Sequence, residues 1–421
     1  MNEATNRLLP PLQSRRDFFD YLDGYSVQAA DELFQRHTTR GLVKTYMLET
    51  VRNGEPMPTM DSIFGRSGLQ LSQVDGDGLF QVLDPRKGGA VALLEFLNDR
   101  HPVLYTLMTT DESDPWVRGL VDSTPWLDRL WLSARLFQEL WRYVQTTASP
   151  RRYTRLTFEY EGLYEVDEGP AGEAGQDEDE DNNEVEPTLQ RDDDDRPIVE
   201  RRSSKFTMVD RVETVRQKLP DLQNTYRPLY SITQLRVPGS TRGGHDFYFD
   251  GKVTNRGDSF ADHRQNVQFV LGVYRRVTER AESTLWVSAE EAGADQAGFN
   301  LKGAPVYLEF SEPLEQATFD RWVNTTFERK RNRFRLGGRP FRLSPGKVHV
   351  YGVDRHLWQP VLLEVTRRHI IAVLPKGTCG NTIHRLVTNV QRFLDPAVNA
   401  WVGDQPYNDL VDQALPQGNV G

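Results

Sequence analysis

Apolar positions recur at helical spacing over three stretches of the first 150 residues. In RRDFFDYLDGYSVQAADELFQRH, the residues Phe18, Tyr21, Leu22, Tyr25 and Ala29 share a face, and Ser14 is placed to cap the helix. A second candidate runs from Gly89 through AVALLEFLNDRHPVLYTLM, interrupted by Pro102. A third follows Thr124 as N-cap, with Pro125 at the first helical position. Its sequence, WLDRLWLSARLFQELWRYV, sets Trp126, Leu130, Phe137, Trp141 and Val144 on one stripe. Leu127, Trp131 and Leu140 widen that stripe, which predicts burial on more than one side. Residues 1–150 therefore read as a mostly helical domain.

Alternation then takes over. Residues 151–166, around YTRLTFEYEGLYEV, read as a strand joining the sheet that follows. Residues 205–300 read as an α+β unit. Its strands are LYSITQLRV (229–237) and HDFYFDGKVT (245–254), followed by a long helix begun by Ser259 and a short strand TLWVS. Residues 301–400 read as a second such unit. It holds PVYLEFS, a helix around TFDRWVNTTFERK, the strands FRLS, VHVYGV, PVLLEV and IIAVLP, and a helix over 382–394. That helix carries Ile383, Leu386, Val387, Val390 and Phe393 on one face, and residues 401–421 read as a tail. Short strands in hairpins, covered by helices, predict an α+β class with antiparallel sheets.

Composition changes this picture in one place. The 421 residues are 38% hydrophobic and 27% charged, which excludes a disordered chain and a coiled-coil rod. The net charge of −10 is uneven: Glu165–Asp195 carries fifteen carboxylates against Arg191 alone, a local charge of −14. The remainder is therefore at +4, and 42 of its cations and those of the insert are Arg against nine Lys. Residues 167–204 are too charged and too poor in apolar side chains to offset their ordering entropy, so they read as a disordered acidic insert. A single cysteine, Cys379, excludes an intrachain disulfide and a cysteine zinc site. The N-terminus lacks a signal-peptide pattern, and no run of 18 apolar residues is present. Both predict a cytoplasmic protein that does not cross a membrane.

Four features carry candidate chemistry. The stretch RKRNRFRLGGRPFR holds Arg329, Lys330, Arg331, Arg333, Arg335, Arg339 and Arg342 with no carboxylate. With Gly337-Gly338 as a two-residue turn, Phe334 faces Phe341 while the arginines line the other side of the hairpin. Pro340 marks an edge strand. Such a cationic ribbon suits a protein partner or nucleic-acid phosphates. In GHDFYFDGKVTN, Asp250-Gly251-Lys252 is similar to the carboxylate-x-Lys of PD-(D/E)xK nucleases, with Asp221 as the earlier acid. That resemblance implies Mg²⁺ held by carboxylates. Cys379 and Arg385 have the C-x5-R spacing of the tyrosine phosphatase loop, but Thr378, Ile383 and His384 depart from it. His349, His356, His369 and His384 show no metal-ligand spacing.

No feature amounts to a catalytic signature. The expectation is a non-enzymatic interaction or regulatory subunit of a cytoplasmic assembly, without a cofactor. It binds a protein partner, or nucleic acid, through the Arg-rich hairpin. The alternative is a Mg²⁺-dependent nuclease using Asp221, Asp250 and Lys252.

Overall fold

The computed structural model describes residues 8–35, 41–50, 58–76, 78–162, 204–225, 227–291, 298–328 and 332–414. The chain begins with α1 (Arg15–Phe34), β1 (Lys44–Glu49), α2 (Met60–Gly65), β2 (Gln70–Asp75), β3 (Leu79–Asp84), β4 (Gly89–Phe96) and β5 (Pro102–Thr106). It continues through α3 (Thr110–Asp122), β6 (Asp128–Arg129), α4 (Ala134–Thr147), β7 (Tyr153–Tyr160), β8 (Ser204–Arg211) and α5 (Val212–Thr225). Next come β9 (Ile232–Pro238), β10 (Gly244–Tyr248), β11 (Lys252–Asn255), α6 (Phe260–Leu285), β12 (Ser288–Glu291) and β13 (Phe299–Lys302). The C-terminal part holds β14 (Val306–Glu309), α7 (Gln316–Glu328), β15 (Leu336–Ser344), β16 (Lys347–Asp354), β17 (Gln359–Thr366) and β18 (His369–Val373). It ends with α8 (Asn381–Phe393), β19 (Asn399–Val402), β20 (Gln405–Pro406) and α9 (Tyr407–Ala414).

Two antiparallel sheets organise these elements, so the α+β class holds. The larger has eleven strands in the order β2-β3-β4-β5-β1-β11-β10-β9-β7-β8, with β6 paired to β1. The smaller has seven, β15-β16-β17-β18-β14-β19-β20, and β12-β13 form a separate ribbon. The first sheet is covered on both faces around β1, β4 and β5. Val43, Met47, Leu93, Val103 and Tyr105 pack towards α1, α4 and α6. Tyr46, Leu48, Leu94 and Leu104 pack the other way, on Ile63 and Phe64 of α2 and Val117 and Leu120 of α3. The second sheet buries Val348, Val350, Leu363, Ile370 and Leu308 towards α7 and α8.

Several expectations are corrected here. Residues 1–150 are not mostly helical: they supply six strands, and β1 pairs directly with β11 of the following region. The run from Gly89 is the hairpin β4-β5, because a strand buried on both faces loses its alternation and reads like a buried helix. The third helix starts nine residues later than Thr124 suggested, with Ser133 capping through Leu136 N–H. Asp128 and Arg129 are strand residues whose charges are engaged by distant partners, and that tertiary demand overrides the local spacing. The C-terminal segment is no tail through residue 414: β19 pairs with β14, and α9 packs with Tyr407, Leu410 and Val411 buried.

Other expectations stand. Ser14 and Ser259 cap α1 and α6 as read, and α8 spans 381–393. Tyr153–Tyr160 does join the sheet, between β9 and β8. The acidic insert lies outside the described residues except at Ser204, which pairs with Tyr160 in register, so the segment leaves and re-enters at neighbouring points of one hairpin. Among the described residues no helix is long and apolar enough to cross a membrane.

Candidate functional site: an open sheet face

The turn joining β15 and β16 is Pro345-Gly346, not Gly337-Gly338. Both glycines lie inside β15, where a Cβ on Gly338 would stand 2.8 Å from the Cα of Gly352 across the ladder. That close approach, which only glycine allows, lets one strand run from Leu336 to Ser344. β15 is an edge strand, as Pro340 implied.

This register splits the Arg-rich stretch between two environments. Phe334 is in the core, its ring 5.7 Å from that of Trp322. Arg335 is buried too, at φ 52°, and donates to Asp128 Oδ1 at 3.1 Å and to Leu127 O at 2.9 Å. Arg342 turns to the helix side of the sheet and pairs with Asp320 at 2.6 Å. Arg333 lies half-buried, its guanidinium 5.0 Å above the Phe393 ring. Arg329, Lys330 and Arg331 fall outside the described residues. Of the described residues of this stretch, only Arg339 and Phe341 among those expected to bind reach the outer face of the second sheet, so this part of the chain does not form the expected hairpin surface.

The outer face itself is assembled by register. Phe341 pairs with His349, His349 with Glu364, Glu364 with Ile371, Ile371 with Tyr307 and Tyr307 with Trp401. One row of side chains thus crosses six strands, about 24 Å at the usual interstrand spacing. A second row, two residues along, is Arg339, Tyr351, Leu362 and Val373. No described element covers these rows: Tyr351 is 64% exposed, Leu343 58% and Phe341 49%. The aromatic rings form two clusters. Phe341 meets Tyr351 edge-on at 5.9 Å, and Tyr307 lies 5.3 Å from His369 and 5.6 Å from Trp401.

Charge is concentrated between those clusters. Glu364 Oε2 accepts from Lys347 at 2.8 Å and contacts His349 Nε2 at 2.9 Å, and His369 Nε2 lies 3.4 Å from Oε1. The Lys347 hydrogen bond, with help from the two histidines, holds the Glu364 carboxyl down at about 2. Arg339 lies alongside, and Glu309, opposite His369 on β14, adds a second carboxylate to the same face.

The remaining candidates are placed as follows. Asp250 and Lys252 flank the β10–β11 turn, where Arg129 pairs with Asp250 and Lys252 reaches Asp114 at 3.0 Å. Asp221 is exposed on α5 and does not join them, which corrects the three-residue nuclease site. The earlier acid beside Lys252 is Asp114, on α3. Burial works against the Asp250 carboxylate, but Arg129 outweighs it and keeps the group below the ordinary range. Among the described residues, no three His, Cys, Asp or Glu side chains are grouped to hold a metal ion.

Cys379 and Arg385 belong to a buried network, not to an anion-binding loop. The Cys379 thiol sits 3.1 Å from Glu49, and burial together with that carboxylate pushes it well above the ordinary thiol range. A thiol so held is not an activated nucleophile. Arg385 is consumed by Asp128 and Asp354, the latter at 2.5 Å, and by Phe334 O at 2.8 Å. Asn381 adds a bond to Asp128 Oδ2 at 2.9 Å, so α8 ties β6 of the first sheet to β16 of the second.

The molecule is thus an α+β protein with two sheets locked through a buried charge network, one of them open on a face of aromatic and charged side chains. The chain belongs to the family of MJECL33-like proteins, whose profile matches residues 7–408. It is 29% identical over 150 residues to the uncharacterized protein MJECL33 of Methanocaldococcus jannaschii. That match covers 36% of this chain and 34% of the archaeal protein, so the chain spans about a third of the length of the curated relative it matches. No solved structure matches it.

Proposed function

We propose that this chain is a non-enzymatic, cytoplasmic binding subunit whose open sheet face holds single-stranded nucleic acid. The carrying observation is the uncovered face on which the rings of Phe341, Tyr351, Tyr307 and Trp401 lie in two adjacent rows across six strands, with Arg339 and Lys347 beside them. Aromatic rings on a rigid sheet stack against bases of any identity, each worth about 1–3 kcal/mol, while nearby cations follow the backbone. About 24 Å of platform accommodates roughly four nucleotides. A duplex hides its base faces, so this face favours unpaired strands. A protein partner, expected from the Arg-rich stretch, has weaker support because the cationic hairpin is not formed. The nuclease reading is weaker still: Arg129 engages Asp250, Asp114 engages Lys252, and Asp221 lies elsewhere.

Fluorescence anisotropy of a labelled dT12 strand tests this reading. Binding is expected at low salt, with an affinity that falls as salt rises by about two log units per log unit for roughly three phosphate contacts. A duplex of the same length competes poorly. Absence of binding at 20 mM salt, or equal affinity for duplex, overturns the proposal.

A further inference from the structure

A cavity of about 460 Å³ lies between α3, β6, the β10–β11 turn and the segment entering β15, on residues that do not contribute to the open sheet face. Its size is that of a small-molecule site. Three polar atoms on its lining residues are buried without a partner: Trp131 Nε1, Arg335 Nε and Asn389 Oδ1. Two are donors and one is an acceptor. Buried polar groups are seldom left unmatched, so three around one hollow mark a place where a ligand completes the bonding.

The walls narrow the choice of ligand. Trp131 and Phe249 stand 6.2 Å apart and supply an aromatic wall. Phe249 is backed by the Arg392 guanidinium at 4.1 Å, which fixes its position. The carboxylates Asp250, Asp128 and Asp114 already have cationic partners in Arg129, Arg385 and Lys252. They therefore add little net negative charge. The exposed Arg118 and half-buried Arg333 add two positive charges to the lining, against one further carboxylate, the exposed Asp122.

We infer that this cavity binds a mononucleotide. A nucleobase presents a planar ring to the Trp131–Phe249 wall and an edge with both a carbonyl and an N–H. The carbonyl matches the Trp131 and Arg335 donors and the N–H matches the Asn389 oxygen, all three of which are covered in the structure and are reached when the lining opens around the base. The phosphate falls to Arg118 and Arg333, which suit it through guanidinium geometry. Asn389 is held for this role by its own amide, which donates to Arg385 O at 2.8 Å and leaves Oδ1 unused.

Isothermal titration calorimetry with AMP, GMP, CMP and UMP, and with the four parent nucleosides, is the test. At least one nucleotide is expected to bind in the micromolar range, with its nucleoside about tenfold weaker or more. Trp131→Phe keeps the ring and removes the N–H, and should weaken binding by about tenfold, the value of one hydrogen bond. Arg118→Ala, at an exposed position that leaves the fold intact, should erase the gap between nucleotide and nucleoside. Binding of dT12 should be unchanged in both variants, which separates this site from the sheet face. No heat with any of the eight compounds at 1 mM, or a nucleotide affinity unchanged in both variants, overturns the inference. If Trp131→Phe fails to fold, Arg118→Ala decides.

Discussion

The two sheets share a strand direction pattern but differ in what covers them. In the first, β1 and β5 are buried at every position and β4 at six of eight, because helices lie on both faces. In the second, β16, β17 and β18 alternate, with valine, leucine and isoleucine inward and Tyr351, Leu362 and Ile371 outward. An outward face needed only for solvation would be lined by Lys, Glu and Thr. Here it carries two aromatic clusters, which cost solubility unless they bind something. The difference separates a closed region that holds the molecule together from an open one that carries the proposed binding surface.

Breaking the closed region should have the largest effect. Arg385→Leu leaves Asp128 and Asp354 buried without their shared cation, and a buried pair broken this way costs about 3–5 kcal/mol. Burial alone would raise Asp128, but Arg385 and Arg335 keep it below the ordinary carboxylate range, so the charge persists in the folded state. Urea denaturation should show the full loss, and a loss under 1 kcal/mol would show that the network is not what locks the sheets. Substituting Arg335 belongs to this class as well, although the sequence places it within the cationic stretch.

Breaking the open region should leave stability nearly intact and remove binding. The double variant Phe341→Ala with Tyr351→Ala should weaken dT12 by about 2–6 kcal/mol if both rings stack. Its melting temperature should stay close to wild type, since both rings are largely exposed. An equal loss of stability would make the face structural.

A smaller effect is expected from the acidic insert. Deleting residues 165–195 removes a net −14 from the chain and should strengthen dT12 binding at low salt but not at 0.5 M, where long-range charge is screened. The smallest effect concerns Glu364. Its folded carboxyl lies near 2, below its ordinary value, so its contribution to stability is complete above about 4.3 and fades as pH falls towards 2. Comparing melting temperatures, wild type should exceed Glu364→Gln at pH 5, and the gap should close by pH 2. A constant gap would mean that Lys347, His349 and His369 do not stabilise that carboxylate.

How much of this was legible in the sequence follows from the same contrast. β16, β17, β18, α6 and α8 could be read because each has a clear apolar period, although α8 is buried on nearly every side. β4 and β5 could not, since their continuous apolar runs carry no period to tell strand from helix. The Trp126–Leu130 spacing pointed to a helix because nothing local shows that Asp128 will meet Arg335 and Arg385, more than 200 residues away. For the site, Arg339 and Phe341 stood out by composition. His349, Tyr351, Tyr307 and Trp401 were missed, although aromatic residues at the outward positions of VHVYGV and PVYLEF were a visible signal. The assumed Gly337-Gly338 turn hid them, because it folded the stretch on itself in place of pairing it with β16.

Photo-crosslinking tests the central claim most directly. A dT12 strand carrying 5-iodouracil is irradiated with the full chain, and crosslinked peptides are identified by mass spectrometry. The account predicts crosslinks at Phe341, Tyr351, Tyr307 or Trp401, lost in the presence of excess unlabelled strand. Crosslinks confined to other parts of the chain, with these four peptides unmodified, would contradict it.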